Sequence, residues 1–130
     1  MVKLRSAEEI EIIRENNILV SKTLGELSKM IKPGITTAAL DKRAEEFIRA
    51  HNAEPGFLGY GGFPSSICTS VNDAVVHGIP SDYELQEGDI ISIDCGTYKN
   101  GYYGDSAYTF SVGTIADEVQ SLLRTTKESL

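Results

Sequence analysis

The stretch "GDIISIDCGTYKNGYYGDSAYTFSV", residues 88–112, limits what this chain can fold into more than any other segment. Two runs with strand-like composition flank Asn100-Gly101, the dipeptide best suited to a two-residue type I′ turn, in which both residues take positive φ. That turn leaves one register: Lys99 faces Tyr102, and each step outward pairs the next two residues. Ile91, Ile93 and Cys95 then share a mostly apolar face with Ser106, Tyr108 and Phe110. Ser92, Asp94 and Gly96 share the opposite face with Asp105, Ala107 and Thr109. Asp94 lies across from Ala107 and one diagonal step from Asp105, a separation of about 7–8 Å. A bulge near the glycines would draw the two carboxylates closer still.

Aspartate is depleted in strands, so two on one face call for a reason. One reason is an ordinary solvated polar face. The other is a pair of ligands for a hard or borderline divalent cation, for which carboxylate oxygens are the expected donors. The charge balance, 19 Asp+Glu against 12 Lys+Arg for a net −7, is compatible with bound cations. It disfavours a nucleic-acid or anionic-membrane binder, which would present a basic surface.

Upstream, the pattern is helical. In the first helical region, residues 1–35, Ser6 and Glu9 have the spacing of a capping box. Ile10, Ile13, Val20, Leu24, Leu27 and Ile31 draw one apolar stripe, Asn17 filling a step, and Lys32-Pro33-Gly34 stops it. A second helix over 36–53 starts at Thr36 as N-cap, with Ile35 and Leu40 as a hydrophobic staple and Leu40, Ala44, Phe47 and Ile48 as its buried face. Residues 54–87 form a glycine- and aromatic-rich loop leading into a short strand around 66–71. Residues 88–112 are the hairpin, and 115–130 begin a helix without a Gly, Asn or Pro stop signal.

A chain of 130 residues is one domain or part of one. Its two cysteines, Cys68 and Cys95, form no CxxC pair, which fits a reduced cytoplasmic setting. The opening "MVKLRSAEEIEII" carries no leader pattern, and no window approaches the ~18 apolar residues of a membrane span.

His77, in "VVHGIP", has two readings. Beside two valines it could be a partly buried, hydrogen-bonded ring. Near a carboxylate-bound metal it could instead donate a hydrogen bond to substrate or transition state. His51, among charged residues at the tail of the second helix, reads as a surface residue.

Three segments in order, "NDAVVHGIP" (72–80), "GDIISIDCG" (88–96) and "GYYGDSAYTF" (101–110), resemble type I methionine aminopeptidase of the bacterial kind. The eleven-residue step from Asp94 to Asp105 matches its first two metal ligands. The lead-in "FLGYGGFPSSICTSVN" and both helices match too, so the resemblance covers essentially the whole chain. It implies the pita-bread fold, a pseudo-two-fold α/β (α+β) domain with an antiparallel sheet covered by helices. It also implies a site for two divalent metal ions, cobalt, manganese, iron or zinc. The implied activity removes the initiator methionine from nascent polypeptide N-termini when the second residue is small, in the cytoplasm, without nucleic acid or membrane as partner.

Carried over by motif, Asp94 and Asp105 would be metal ligands, Asp105 bridging the ions. His77 would be catalytic, contacting the scissile peptide and steadying the developing tetrahedral intermediate. Phe57, Tyr60, Phe63 and Cys68 would line the methionine pocket with it, a setting that suits a thioether. Each also has an ordinary reading, Tyr60 and Phe63 as core aromatics and Cys68 as a small buried residue.

The family's site takes one further histidine and two glutamates from the second half of the fold. After Asp105 this chain offers only Asp117, Glu118 and Glu128 as acidic residues, and no histidine after His77. It therefore reads as the N-terminal half of a catalytic domain, with little or no activity by itself. The intact family is usually monomeric, but half a sheet without its partner favours self-association. The alternative is a non-catalytic half-fold that binds a peptide or a partner protein, since fold alone does not decide function.

Overall fold

Capping sets where the first two helices begin. In the computed structural model, which describes residues 1–130, α1 spans Ala7–Ser28. The Glu9 N–H donates to Ser6 Oγ at 3.2 Å, and the Ser6 N–H donates to the Glu9 carboxylate at 2.8 Å, a closed capping box. α2 spans Thr37–Ala50, and Thr36 Oγ1 accepts from the Ala39 N–H at 3.1 Å.

α1 ends earlier than the Pro33 stop predicts. The backbone of 34–36 finds strand-like partners instead: Gly34 N donates to Leu85 O and Leu85 N to Ile35 O, both at 2.8 Å. The apolar stripe is also shifted. Val20, Leu24 and Leu27 are buried as expected, but Ile10 is 55% exposed, while Asn16 and Thr23 are buried. The N-terminal turns of α1 reach past the core to the turn end of the hairpin. There Tyr102 Oη donates to Glu9 at 2.6 Å, and Asn16 Nδ2 donates to Lys99 O at 3.1 Å.

The sheet has four strands, β1 (Glu54–Pro55), β2 (Ile67–Val71), β3 (Ile90–Lys99) and β4 (Tyr102–Ser111). β4 pairs with all of β3 along one edge; β2 and then β1 pair along the other, all antiparallel. The hairpin register is the one the turn dictates, with Lys99 opposite Tyr102, Asp94 opposite Ala107 and Gly96 opposite Asp105. Asn100 and Gly101 take φ of 53° and 83°.

The pairing runs unbroken, so the bulge considered near the glycines is not formed. Those glycines serve close approach instead. A Cβ on Gly96 would run into the Phe57 ring, and one on Gly104 would sit 2.7 Å from the Asn16 carbonyl carbon of α1.

Ile91, Ile93 and Cys95 point into a core shared with Val20, Leu27, Leu40 and Ile48, between one sheet face and α1 with α2. The β4 side of that face is only partly covered: Ser106 and Tyr108 remain exposed. α3 (Asp117–Glu128) follows the hairpin, and none of its residues is buried. No helix is long and apolar enough to cross a membrane.

Candidate active site

The sheet face turned away from α1 and α2 carries the candidate site residues. Cys68 pairs with Asp94, and Ser70 with Ser92, so the alternation of β2 brings Cys68 and Ser70 to the face that already bears Asp94, Asp105 and Ala107. Ser92 and Thr109 exchange a 2.8 Å hydrogen bond beside them. Asp41, on α2, accepts from the Ser66 and Ile67 N–H groups at 2.8 and 3.0 Å and so fixes where β2 starts. Burial raises its carboxyl pKa, against the pull of those two hydrogen bonds.

One open concavity of about 680 Å³ gathers every residue picked out from the sequence: Phe57, Tyr60, Phe63, Cys68, His77, Asp94 and Asp105. Phe57 is half-buried, its ring seated over Gly96, and the Gly56 N–H bonds Gly96 O at 2.9 Å to hold that segment on the sheet. Tyr60 stands in a short 3₁₀ turn, Tyr60–Gly62, and is 74% exposed, so it is not a core aromatic. Phe63 is half-buried and closes that turn through its N–H to Tyr60 O at 3.0 Å.

Four further residues line the same space: Gly56, Ile79, Tyr103 and Gly104. Tyr103 was legible in principle, since it stands two places before Asp105 on one strand face. Ile79 follows His77 by two in the same turn. His51 lies elsewhere, at the end of α2, with Nδ1 2.7 Å from Phe47 O.

His77 is exposed, so the partly buried, hydrogen-bonded reading does not hold. Its backbone takes φ of 58°, the one left-handed residue here that is neither glycine nor asparagine. Gly78 ties the segment to β2, accepting from Thr69 N at 2.8 Å and donating to Ser70 Oγ at 3.1 Å.

Electrostatics separate the carboxylates from the thiol. Burial raises the Asp94 carboxyl pKa, and the hydrogen bond and charge of neighbouring Asp105 raise it further; His77 partly offsets this. A carboxylate whose ionisation is opposed by burial and by a neighbouring carboxylate suits a cation placed against the pair. Within the 130 residues, however, no group of three or more His, Cys, Asp or Glu side chains is poised to hold a metal ion. The pair fits a divalent ion as part of a coordination shell. Burial, followed by Asp94 and Asp105, pushes the Cys68 thiol up to about 11. It stays protonated at neutral pH, which removes it as a nucleophile and leaves it as apolar lining.

A sheet backed by α1 and α2 on one face carries paired strand aspartates and a nearby histidine on the other, the frame of a mixed α/β domain with a candidate cation site. Residues 11–130 match metallopeptidase family M24, and the chain belongs to that family. It is 54% identical to a methionine aminopeptidase of Clostridium acetobutylicum over 99% of this chain and 52% of the relative. It is 52% identical to methionine aminopeptidase 1 of Bacillus subtilis over 100% of this chain and 52% of that protein. The crystal structure of methionine aminopeptidase from Rickettsia prowazekii superposes with a TM-score of 0.96 at 38% identity, covering 98% of this chain and 52% of that one. Prolidase from Pyrococcus furiosus, at 22% identity and a TM-score of 0.78, shares the fold. The chain spans about half the length of the curated relatives it matches.

Proposed function

We propose that this chain forms the substrate-pocket half of a methionine aminopeptidase, which removes an N-terminal methionine when the second residue is small. The observation that carries the reading is the single concavity in which the aspartate pair, His77 and the aromatic wall meet. Its volume of about 680 Å³ lies within the range of small-ligand pockets. Identity above 50% to methionine aminopeptidases supports the choice of substrate class.

Asp94 and Asp105 would hold divalent metal, of which cobalt, manganese, iron and zinc all tolerate carboxylate donors. Such an ion would supply Lewis-acid chemistry for peptide hydrolysis. Phe57, Tyr60 and Phe63 offer aromatic surface to a methionine thioether, and protonated Cys68 closes the floor without competing as a nucleophile. His77 lines the same space and would donate a hydrogen bond to the scissile peptide. Substrate would be a polypeptide N-terminus, and neither nucleic acid nor membrane is a partner.

Because only two carboxylates converge, the chain by itself is expected to release little methionine. The same sparseness favours a second reading, a half-fold that binds peptide without cleaving it. Methionine release from a Met-Ala-Ser peptide tests both, with manganese or cobalt, using the chain alone and the chain mixed with the second half of the Bacillus subtilis relative. Release that requires the added half, and is lost in Asp94→Ala, supports the aminopeptidase. No release under either condition, with peptide still bound, supports the binding module.

A further inference from the structure

The imidazole of His77 makes no hydrogen bond within the protein, so its place depends on the backbone that carries it. That backbone is strained, since a histidine in left-handed conformation persists only where its surroundings hold it. The loop, residues 73–82, is tied at its centre by the two bonds around Gly78. Its exit is held on α2, Ala38 N donating to Ser81 O at 2.8 Å and Thr37 N to Tyr83 O at 3.1 Å, and one further group joins exit to entry. Asp89, buried just before β3, accepts from Asn72 Nδ2 at 2.9 Å, at the loop's entry. It also accepts from Tyr83 Oη at 2.7 Å and Gln86 N at 2.9 Å, at the loop's exit. Asn72 is pinned in turn: its N–H donates to Ile90 O at 2.9 Å and its Oδ1 accepts from Ile90 N at 3.0 Å.

We propose that Asp89 is a positioning residue for His77, closing the base of the histidine loop by joining Asn72 to Tyr83. None of the three lines the concavity, so they act on the reaction through the loop alone. Burial opposes a charge on Asp89, and the three donors from Asn72, Gln86 and Tyr83 outweigh it, holding its carboxyl below the ordinary range. A carboxylate suits this post because it accepts from both loop ends at once, and charge-assisted bonds are stronger than neutral ones. The inference rests on the reading in which His77 meets substrate.

Tyr83→Phe is the first test, because it deletes one hydroxyl from a side chain that is 38% exposed and leaves the core untouched. In the 130-residue chain, hydrogen exchange at the two bonded loop amides, Ala74 and Gly78, should quicken by about five- to tenfold while β3 and β4 amides stay unchanged. Asn72→Gly, which keeps the left-handed backbone but removes the side-chain bonds, should do the same from the other end. In the form that releases methionine, Tyr83→Phe should lower kcat by about five- to tenfold with KM unchanged. It should cost nothing further in a His77→Ala background, since a positioning residue has nothing left to position.

Exchange unchanged in both variants overturns the proposal, as does a loss that adds fully to that of His77→Ala. If His77→Ala alone leaves release intact, or no form releases methionine, the catalytic reading of His77 falls. The exchange result then still decides whether Asp89 holds the loop.

Discussion

On one face of β3, Ile91, Ile93 and Cys95 are fully buried under α1 and α2; on the other, Asp94 is half-covered and its diagonal neighbour Asp105 lies open. Both faces come from the same ten residues, separated only by the alternation of a strand. The closed face pairs Thr97 by a specific long-range bond, its Oγ1 donating to Asn16 Oδ1 at 3.0 Å, and leaves only Thr69 Oγ1, opposite Ile93, without a partner. The open face leaves like charges side by side. Packing is concentrated on the first, and the candidate site lies on the second. The helices repeat the contrast: α1 buries six residues against the sheet, while α3 buries none.

If that division holds, mutations on the two faces should be separable by measurement. Ile93→Ala, on the closed face, should cost about 2–5 kcal/mol in urea denaturation, because a fully buried isoleucine leaves a cavity that neighbours only partly fill. The folded fraction should bind manganese as before. Asp94→Asn should do the reverse. Titration calorimetry should show manganese affinity falling by more than about a hundredfold, a greater loss than removing a ligand's supporting partner. The metal-free melting temperature should not drop, since a carboxylate disfavoured by burial and by Asp105 is removed.

A smaller effect probes how the closed face is sealed. Gly104→Ala would press a methyl against the α1 backbone at Asn16, where no flexible side chain can yield. Overpacking of this kind should cost about 1–3 kcal/mol by chemical denaturation. An equal loss from Gly25→Ala, on the exposed side of α1 with open space around it, would blur the contrast.

The smallest effect concerns the seam where α1 meets the hairpin. The Tyr102 hydroxyl, then the Ser6 N–H, lower the Glu9 carboxyl from 4.5 to about 2. A folded pKa below the unfolded one contributes stability above about 4.5, and that contribution fades as pH falls toward about 2. Melting curves between pH 6 and pH 3 should therefore slope less steeply in Tyr102→Phe than in the parent chain.

The hairpin register, both helix caps and the pairing of Asp94 with Asp105 on one face were legible because each follows from residues close in sequence. Asn100-Gly101 leaves one turn geometry, and counting outward places both aspartates. The same reasoning misplaced Ile10 and ran α1 too far, since the helix ends at Ser28, and the pairing of residues 34–36 with the segment near residue 85 is a choice no local signal announces. It also invoked a bulge where the glycines instead admit Phe57 and α1.

His77 marks the boundary between the two kinds of knowledge. Its place beside a carboxylate pair could be suspected from motif and residue type. Its left-handed backbone, the bonds from Gly78 to β2 and the closure of its loop by Asp89 join segments that only the folded chain brings together. Turns, caps and strand alternation are short-range geometry, so the amino-acid sequence alone determined them here. The meeting of Phe57, Cys68, His77, Asp94 and Asp105 in one concavity depends on packing between distant segments, and tertiary structure alone decided it.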